Sequence, residues 1–173
     1  MAMLTIPDEG RVISTASEIR TFLTNYGVFF DQWSCTEVFA PDASQEEILA
    51  AYAKDLTPFM QQGGYKTADV ISIHAHTENY EAIRTKFLAE HTHSEDEIRF
   101  FVEGQGYFWF HLDGAPVFNV LCEQGDLISV PAGTKHWFDA GATNPSVKAI
   151  RVFMDSSGWV PEYTHSGIEK KYL

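Results

Sequence analysis

Positive charge is scarce in this sequence: 12 Lys and Arg stand against 24 Asp and Glu, a formal net charge of -12. A surface this acidic repels phosphate backbones and anionic lipid, so nucleic-acid and membrane partners are excluded and a small-molecule role is favoured. Cysteine is nearly absent. Cys35 and Cys122 lie far apart with no CxxC pairing, which argues against a disulfide framework or a zinc knuckle and leaves two reduced, core-type thiols. No run of about eighteen apolar residues occurs, and MAMLTIPDEG has neither a basic nor an apolar leader region, so the expectation is a cytoplasmic protein. Internal repeats, low-complexity tracts and obvious linkers are also lacking.

Apolar residues are plentiful. At 45% hydrophobic and 14% aromatic content, 173 residues bury one sizeable core and hardly two, so a single domain over 1–173 is expected. Its first part, to about residue 85, reads as helices and a strand. Thr15 and Glu18 fit a capping box ahead of Ile19, Phe22, Leu23 and Tyr26 at helical spacing, with Gly27 as the stop. Ser44 and Glu47 repeat the device for a second helix closing near Thr57-Pro58, and a third helix is expected from Tyr80 to Lys86. ADVISIHA (68–75) reads as a strand.

From about residue 86 to 154, apolar and aromatic runs are punctuated by EGQG (103–106), LDGAP (112–116), EQGD (123–126), PAGT (131–134) and GATNP (141–145). These read as turns between successive antiparallel strands, which makes the fold mainly β, a sandwich or barrel with a few helices packed outside it. A polar tail covers about 155–173.

EHTHSEDE, from Glu90 to Glu97, is the densest chemical signal. In an extended chain His91 and His93 share one face, ~7 Å apart at Cα. Glu97 and Arg99 keep that parity, while Ile98 and Phe100 point the other way. About forty residues later GDLISVPAGTKHWF reads as a strand, a turn and the start of a neighbouring strand carrying His136. Three imidazoles and one carboxylate then meet around a point, a donor set suited to iron, nickel, cobalt, manganese or zinc, and an octahedral ion so held keeps two open positions. His74 and His76 form a second His-x-His but lack a following Glu and glycine turn, so they are read as core-edge or supporting histidines. His111 and His165 are expected to be exposed, and Phe100, Phe101, Phe108, Trp109 and Phe110 to be core.

The two segments resemble the paired motifs of the cupin superfamily, with His91, His93, Glu97 and Gly104 in the first and Gly125, Pro131, Gly133 and His136 in the second. Thr85 and Ala140 stand where those motifs have Gly and Asn. More narrowly, HTHSEDEIRFFVEGQGYFWF, GDLISVPAGTKHWFD and GWVPEY resemble the acireductone dioxygenase family over nearly the whole chain. The resemblance implies a cupin-type antiparallel barrel, a role in methionine salvage, and one Fe(2+) or Ni(2+) per chain, with Co or Mn possible, on His91, His93, Glu97 and His136. It implies that an acireductone, 1,2-dihydroxy-3-keto-5-methylthiopentene, reacts with O2. The iron form gives 4-methylthio-2-oxobutanoate and formate; the nickel form gives 3-methylthiopropanoate, formate and carbon monoxide. Arg99, facing the ion by parity, is assigned to the substrate's developing negative charge. Phe87, Phe138 and Trp159 are assigned to its methylthio end, and Arg151 resembles a family position near the site. A monomer is expected. The competing expectations are another metal-dependent cupin enzyme and a small-molecule-sensing cupin.

Overall fold

The computed structural model describes residues 1–155, 157 and 159–173; Ser156 and Gly158, part of the tail stretch SSGWVPEY, lie outside the described residues. Eleven strands run β1 Met3–Ile6, β2 Arg11–Ile13, β3 Phe29–Gln32, β4 Thr67–His74, β5 His91–Thr92, β6 Glu97–Phe110, β7 Phe118–Glu123, β8 Asp126–Val130, β9 His136–Asp139, β10 Ser146–Phe153 and β11 Glu162–Tyr163. Among the described residues four α-helices accompany them, α1 Ala16–Thr24, α2 Gln45–Ala51, α3 Ala53–Gly63 and α4 Tyr80–Leu88. None of these helices is long and apolar enough to cross a membrane.

Two antiparallel layers form around one shared strand. One layer has the order β11-β5-β9-β6-β7-β1-β2, and the other is built from β4 on β10, β10 and β8 on β6, and β3 on β8. The first half of β6 pairs with β8 and β10, and its second half with β7 and β9. EGQG is therefore no turn. It lies inside β6, where a bulge opposite Lys148 and Ala149 bends the strand from one layer into the other. Gly104 takes φ +74 there, and a Cβ would meet the Ser146 carbonyl oxygen at 1.8 Å. A glycine so placed signals close backbone approach as readily as a turn, which is why the motif misleads.

The bulge has a consequence for side-chain direction. Before it Glu97, Arg99 and Phe101 face the space between the layers; after it Gly106, Phe108 and Phe110 do. Phe101, Phe108, Phe110, Phe118 and Phe138 are buried between the layers, each contributing about 1.5–3 kcal/mol of burial. Ile98, Phe100 and Val102 face outward and are covered by Ile48 of α2, Tyr52 at the break after it and Leu56 of α3. The layers thus carry helices on the outside, as the apolar spacing implies.

Local signals held unevenly. Ser44 and Glu47 form a full capping box. Thr15 makes no side-chain cap: its hydroxyl is turned to the Glu18 carboxylate instead, although α1 forms where expected. The second helix does not close at Pro58. The chain interrupts at Tyr52 (φ -105, ψ 7), whose ring is buried 5.0 Å from that of Phe100, and α3 restarts and carries Pro58 within it. Proline removes only one intrahelical bond, and packing of the outer helix face outweighs that loss. β10 is followed by one more short strand, β11, so the tail is pinned back onto the barrel rather than left free.

Candidate metal centre

β5 and β9 face each other with His91 directly opposite His136. β5 lasts only two residues, so the regular strand from His91 to Arg99 implied by parity does not exist. The chain leaves β5 at His93, passes through a short bend and re-enters at Glu97, the first residue of β6. Even so, one ligand atom from each of His91, His93, Glu97 and His136 lies within 4.8 Å of the others, and all four residues are buried. The bend places Glu97 on the inner face of the other layer, opposite the histidines.

Each imidazole is held by its far nitrogen. Nδ1 of His91 donates to the Ala89 carbonyl at 2.7 Å, that of His136 to Thr134 at 2.7 Å and that of His93 to Val160 at 3.2 Å. Fixing the proton on Nδ1 leaves Nε2 with a free lone pair, the tautomer a metal requires. His136 Nε2 lies 3.0 Å from Glu97 Oε2. His93 Nε2 is 2.8 Å from the same oxygen but is not aligned for a hydrogen bond, so this buried nitrogen is orphaned. Several lone pairs converging on one dry point, with one left unserved, fit a cation. The donors are three nitrogens and an oxygen with no sulfur, as suits a divalent first-row ion.

Electrostatics agree. Burial, reinforced by the neighbouring His136, drives the His91 pKa down to about 4, so this ring is neutral at ordinary pH. Burial would lift the Glu97 carboxyl, but the Arg99 guanidinium and the two imidazoles outweigh it and hold that pKa well below the usual range. Burial lowers the His93 pKa, yet its contact with Glu97 wins and raises it. For the metal-free protein the His91 sign is definite. A histidine depressed from about 6.5 to about 4 binds fewer protons folded than unfolded between those values. Stability is therefore expected to fall as pH drops from 6.5 towards 4, by up to ~1.4 kcal/mol per pH unit, whereas the His93 contribution is lost only above 6.5. Urea titrations of the metal-free protein and of His91→Gln test this: equal slopes in both would refute it.

Beside the cluster lies a cavity of about 250 Å³ lined by Ile83, Lys86, Phe87, His93, Glu97, Arg99, Arg151, Trp159, Pro161 and Tyr163. Arg99 is fully buried in its wall. Nη2 pairs with Glu97 Oε1 at 3.1 Å, while Nε and Nη1 have no partner among the described residues. Four rings surround the guanidinium: Phe138 at 4.4 Å, Phe87 and Phe108 at 5.4 Å, and Trp159 at 5.6 Å. Phe138 sits behind Arg99 rather than on the wall, because β9 turns it into the barrel core. α4 delivers Phe87, anchored to β9 by the two-pronged pair of Arg84 with Asp139 at 2.9 and 3.0 Å. Arg151 is held by both oxygens of Asp69, at 2.8 and 2.5 Å, and stands 5.5 Å from the Trp159 ring.

Other sites resolve more simply. His74 and His76 are exposed at the end of β4, neither core-edge nor supporting the cluster. His165 is exposed as expected, but His111 is half-buried and donates to Glu90 at 2.6 Å, a carboxylate that Thr164 and Ser166 of the tail also reach. A larger depression of about 780 Å³, lined by Trp33, Cys35, Gly104, Gln105 and others, holds none of the clustered donors. Chemistry rather than volume decides the site. Sequence reasoning missed Pro161 and Tyr163, whose wall positions depend on the fold-back of the tail, and Glu90, to which it gave no role.

Residues 12–161 match the model of the ARD/ARD' family. The chain is 57% identical to an acireductone dioxygenase of Picosynechococcus sp. over 99% of this chain and 97% of that one. It is 51% identical to that of Gluconobacter oxydans over 92% and 84%. The solved structure of an acireductone dioxygenase from Bacillus anthracis, with a cadmium ion in its active centre, superimposes with a TM-score of 0.86 at 34% identity. It covers 94% of this chain and 98% of that one.

Proposed function

The chain belongs to the acireductone dioxygenase family, with its cupin fold and metal-dependent dioxygenase activity in methionine salvage, and we propose that His91, His93, Glu97 and His136 hold one Fe(2+) or Ni(2+) for that reaction. The observation that carries this is the buried convergence of three Nε2 atoms and one carboxylate, each imidazole oriented from behind. The cadmium ion in the active centre of the Bacillus anthracis protein supports it. Once bound, the ion would supply a Lewis-acid anchor for the enediol oxygens and bring the electron-rich substrate together with O2.

The protein's own groups supply the rest. Arg99 lines the cavity beside the cluster, carries two buried donors without a partner among the described residues, and is assigned to the substrate's negative charge. Ile83, Phe87, Trp159 and Pro161 form an apolar portion of the wall that suits a methylthio group and excludes water. Phe138 and Phe108 act from behind, stacking on the guanidinium and fixing its plane. Arg151, neutralised by Asp69, is assigned to hold Trp159 rather than to bind substrate charge. One chain carries a complete set of four ligands, and a monomer is proposed as the working unit. β6, which runs through both layers, supports a single domain.

The decisive experiment measures oxygen consumption with an acireductone after chelation and after reloading with iron or nickel. Activity is expected only in the reloaded samples, with keto acid and formate from iron, and the shorter acid, formate and carbon monoxide from nickel. Equal turnover by the chelated protein would refute the reading.

A further inference from the structure

Glu90 immediately precedes the ligand His91 and is 2% exposed. A carboxylate this deep needs strong partners, and neither Lys nor Arg pairs with it among the described residues. It accepts from three side chains instead. Oε1 takes the Thr164 hydroxyl at 2.5 Å and the Ser166 hydroxyl at 2.8 Å, and Oε2 takes His111 Nδ1 at 2.6 Å. Its backbone carbonyl also accepts the Thr164 N–H at 3.1 Å. Thr164 and Ser166 lie 74 and 76 residues further along the chain.

The same C-terminal segment is tied near its other end. Trp159 Nε1 donates to the Asp96 carbonyl at 3.0 Å, and the Val160 carbonyl accepts from His93 Nδ1 at 3.2 Å. Between these ties, Pro161 and Tyr163 line the cavity, and the Tyr163 ring stands 5.9 Å from that of His91. Among the described residues the strand pairing that holds this stretch is β11 on β5, two residues each. A ladder that short has little stability of its own. Hydrogen bonds to a buried carboxylate are stronger than neutral ones, so the Glu90 contacts supply the missing hold.

We infer that Glu90 is a positioning residue, whose carboxylate clasps Thr164 and Ser166 and thereby sets the cavity wall formed by Pro161 and Tyr163 against the substrate. This rests on the acireductone reading of the cavity, but the clasp itself is a property of the folded chain. Its effect falls on substrate binding, because Glu90 touches neither the cavity nor the ligand atoms directly.

The test uses the double variant Thr164→Val, Ser166→Ala, which keeps side-chain shape while removing both hydroxyl donors, and Glu90→Gln, which keeps one oxygen for those hydroxyls. The metal-loaded double variant is expected to retain full metal content, to exchange the amides of residues 160–166 roughly tenfold faster, and to raise KM for acireductone roughly tenfold with kcat within about threefold. Glu90→Gln keeps an acceptor oxygen for the two hydroxyls but loses the charge that strengthens those bonds, so it is expected to fall between wild type and the double variant in both exchange and KM, about threefold from wild type. Wild-type exchange in the double variant, or a Glu90→Gln protein that matches wild type in both exchange and KM, would overturn the proposal. Exchange is read without substrate, so it judges the clasp even if the wild-type chain turned over no acireductone.

Discussion

Replacing His136 with alanine is expected to yield protein that retains less than about one tenth of an equivalent of metal and turns over acireductone at least ~1000-fold more slowly than wild type, because several kcal/mol of charge stabilisation is lost with the ion. His136 opens β9 directly opposite His91, and its Nε2 lies 3.0 Å from Glu97. The remaining donors are preformed but incomplete, and no other His, Cys, Asp or Glu among the described residues belongs to the cluster. Removing the fully buried His136 ring also leaves a cavity beside the Glu97 carboxylate, so some loss of stability accompanies the loss of metal. His93→Ala provides the control against simple misfolding, since its ring lies outside the strand pairing of β5 and β9. Both variants are to be assayed by elemental analysis and oxygen uptake. Stoichiometric metal in both would remove these histidines from the ligand set.

Arg99→Gln is expected to keep the metal while kcat/KM falls ~100- to 1000-fold, the usual cost of removing a preorganised donor to developing charge. Arg99→Lys restores the charge but not the planar fork, and is expected to recover only part of that loss. A second consequence separates this role from simple pairing with Glu97. In the metal-free protein Arg99 is the chief cation facing a buried carboxylate, and removing one partner of a buried pair costs about 3–5 kcal/mol. In the loaded protein the ion faces the same carboxylate, so Arg99→Gln is expected to destabilise metal-free protein far more than metal-loaded protein. Denaturant melts with and without metal read that difference directly. A kcat/KM within threefold of wild type for Arg99→Gln would leave the arginine as a counterion alone.

The two histidine-bearing segments were legible because ligand spacing is local chemistry: a His-x-His pair, a carboxylate shortly after it, and a Pro-x-Gly turn delivering another histidine each leave a mark within a few residues. The strand grammar that joined them was less faithful. Parity counted through a continuous strand brought Glu97 to the right side, but the chain bends after His93 and begins a strand of the other layer at Glu97. EGQG misread as a turn for a related reason. Glycine reports that backbone must come close or adopt positive φ, and at Gly104 the close partner is the Ser146 carbonyl from a strand some forty residues away. The break at Tyr52 and the survival of Pro58 inside α3 were set by packing on Phe100 and its neighbours, which a local helix signal does not contain.

By itself the sequence determined the kind of chemistry: an acidic chain with an antiparallel core, three imidazoles and a carboxylate at ligand spacing, and an arginine in phase with them. Tertiary structure alone decided that Glu90 is a buried acceptor, that Phe138 lies against Arg99, and that Pro161 and Tyr163 wall the cavity. The division has one cause. Ligand identity is carried by side-chain type and short spacing, whereas burial and orientation depend on which distant segment folds over a residue, as Thr164 and Ser166 do over Glu90.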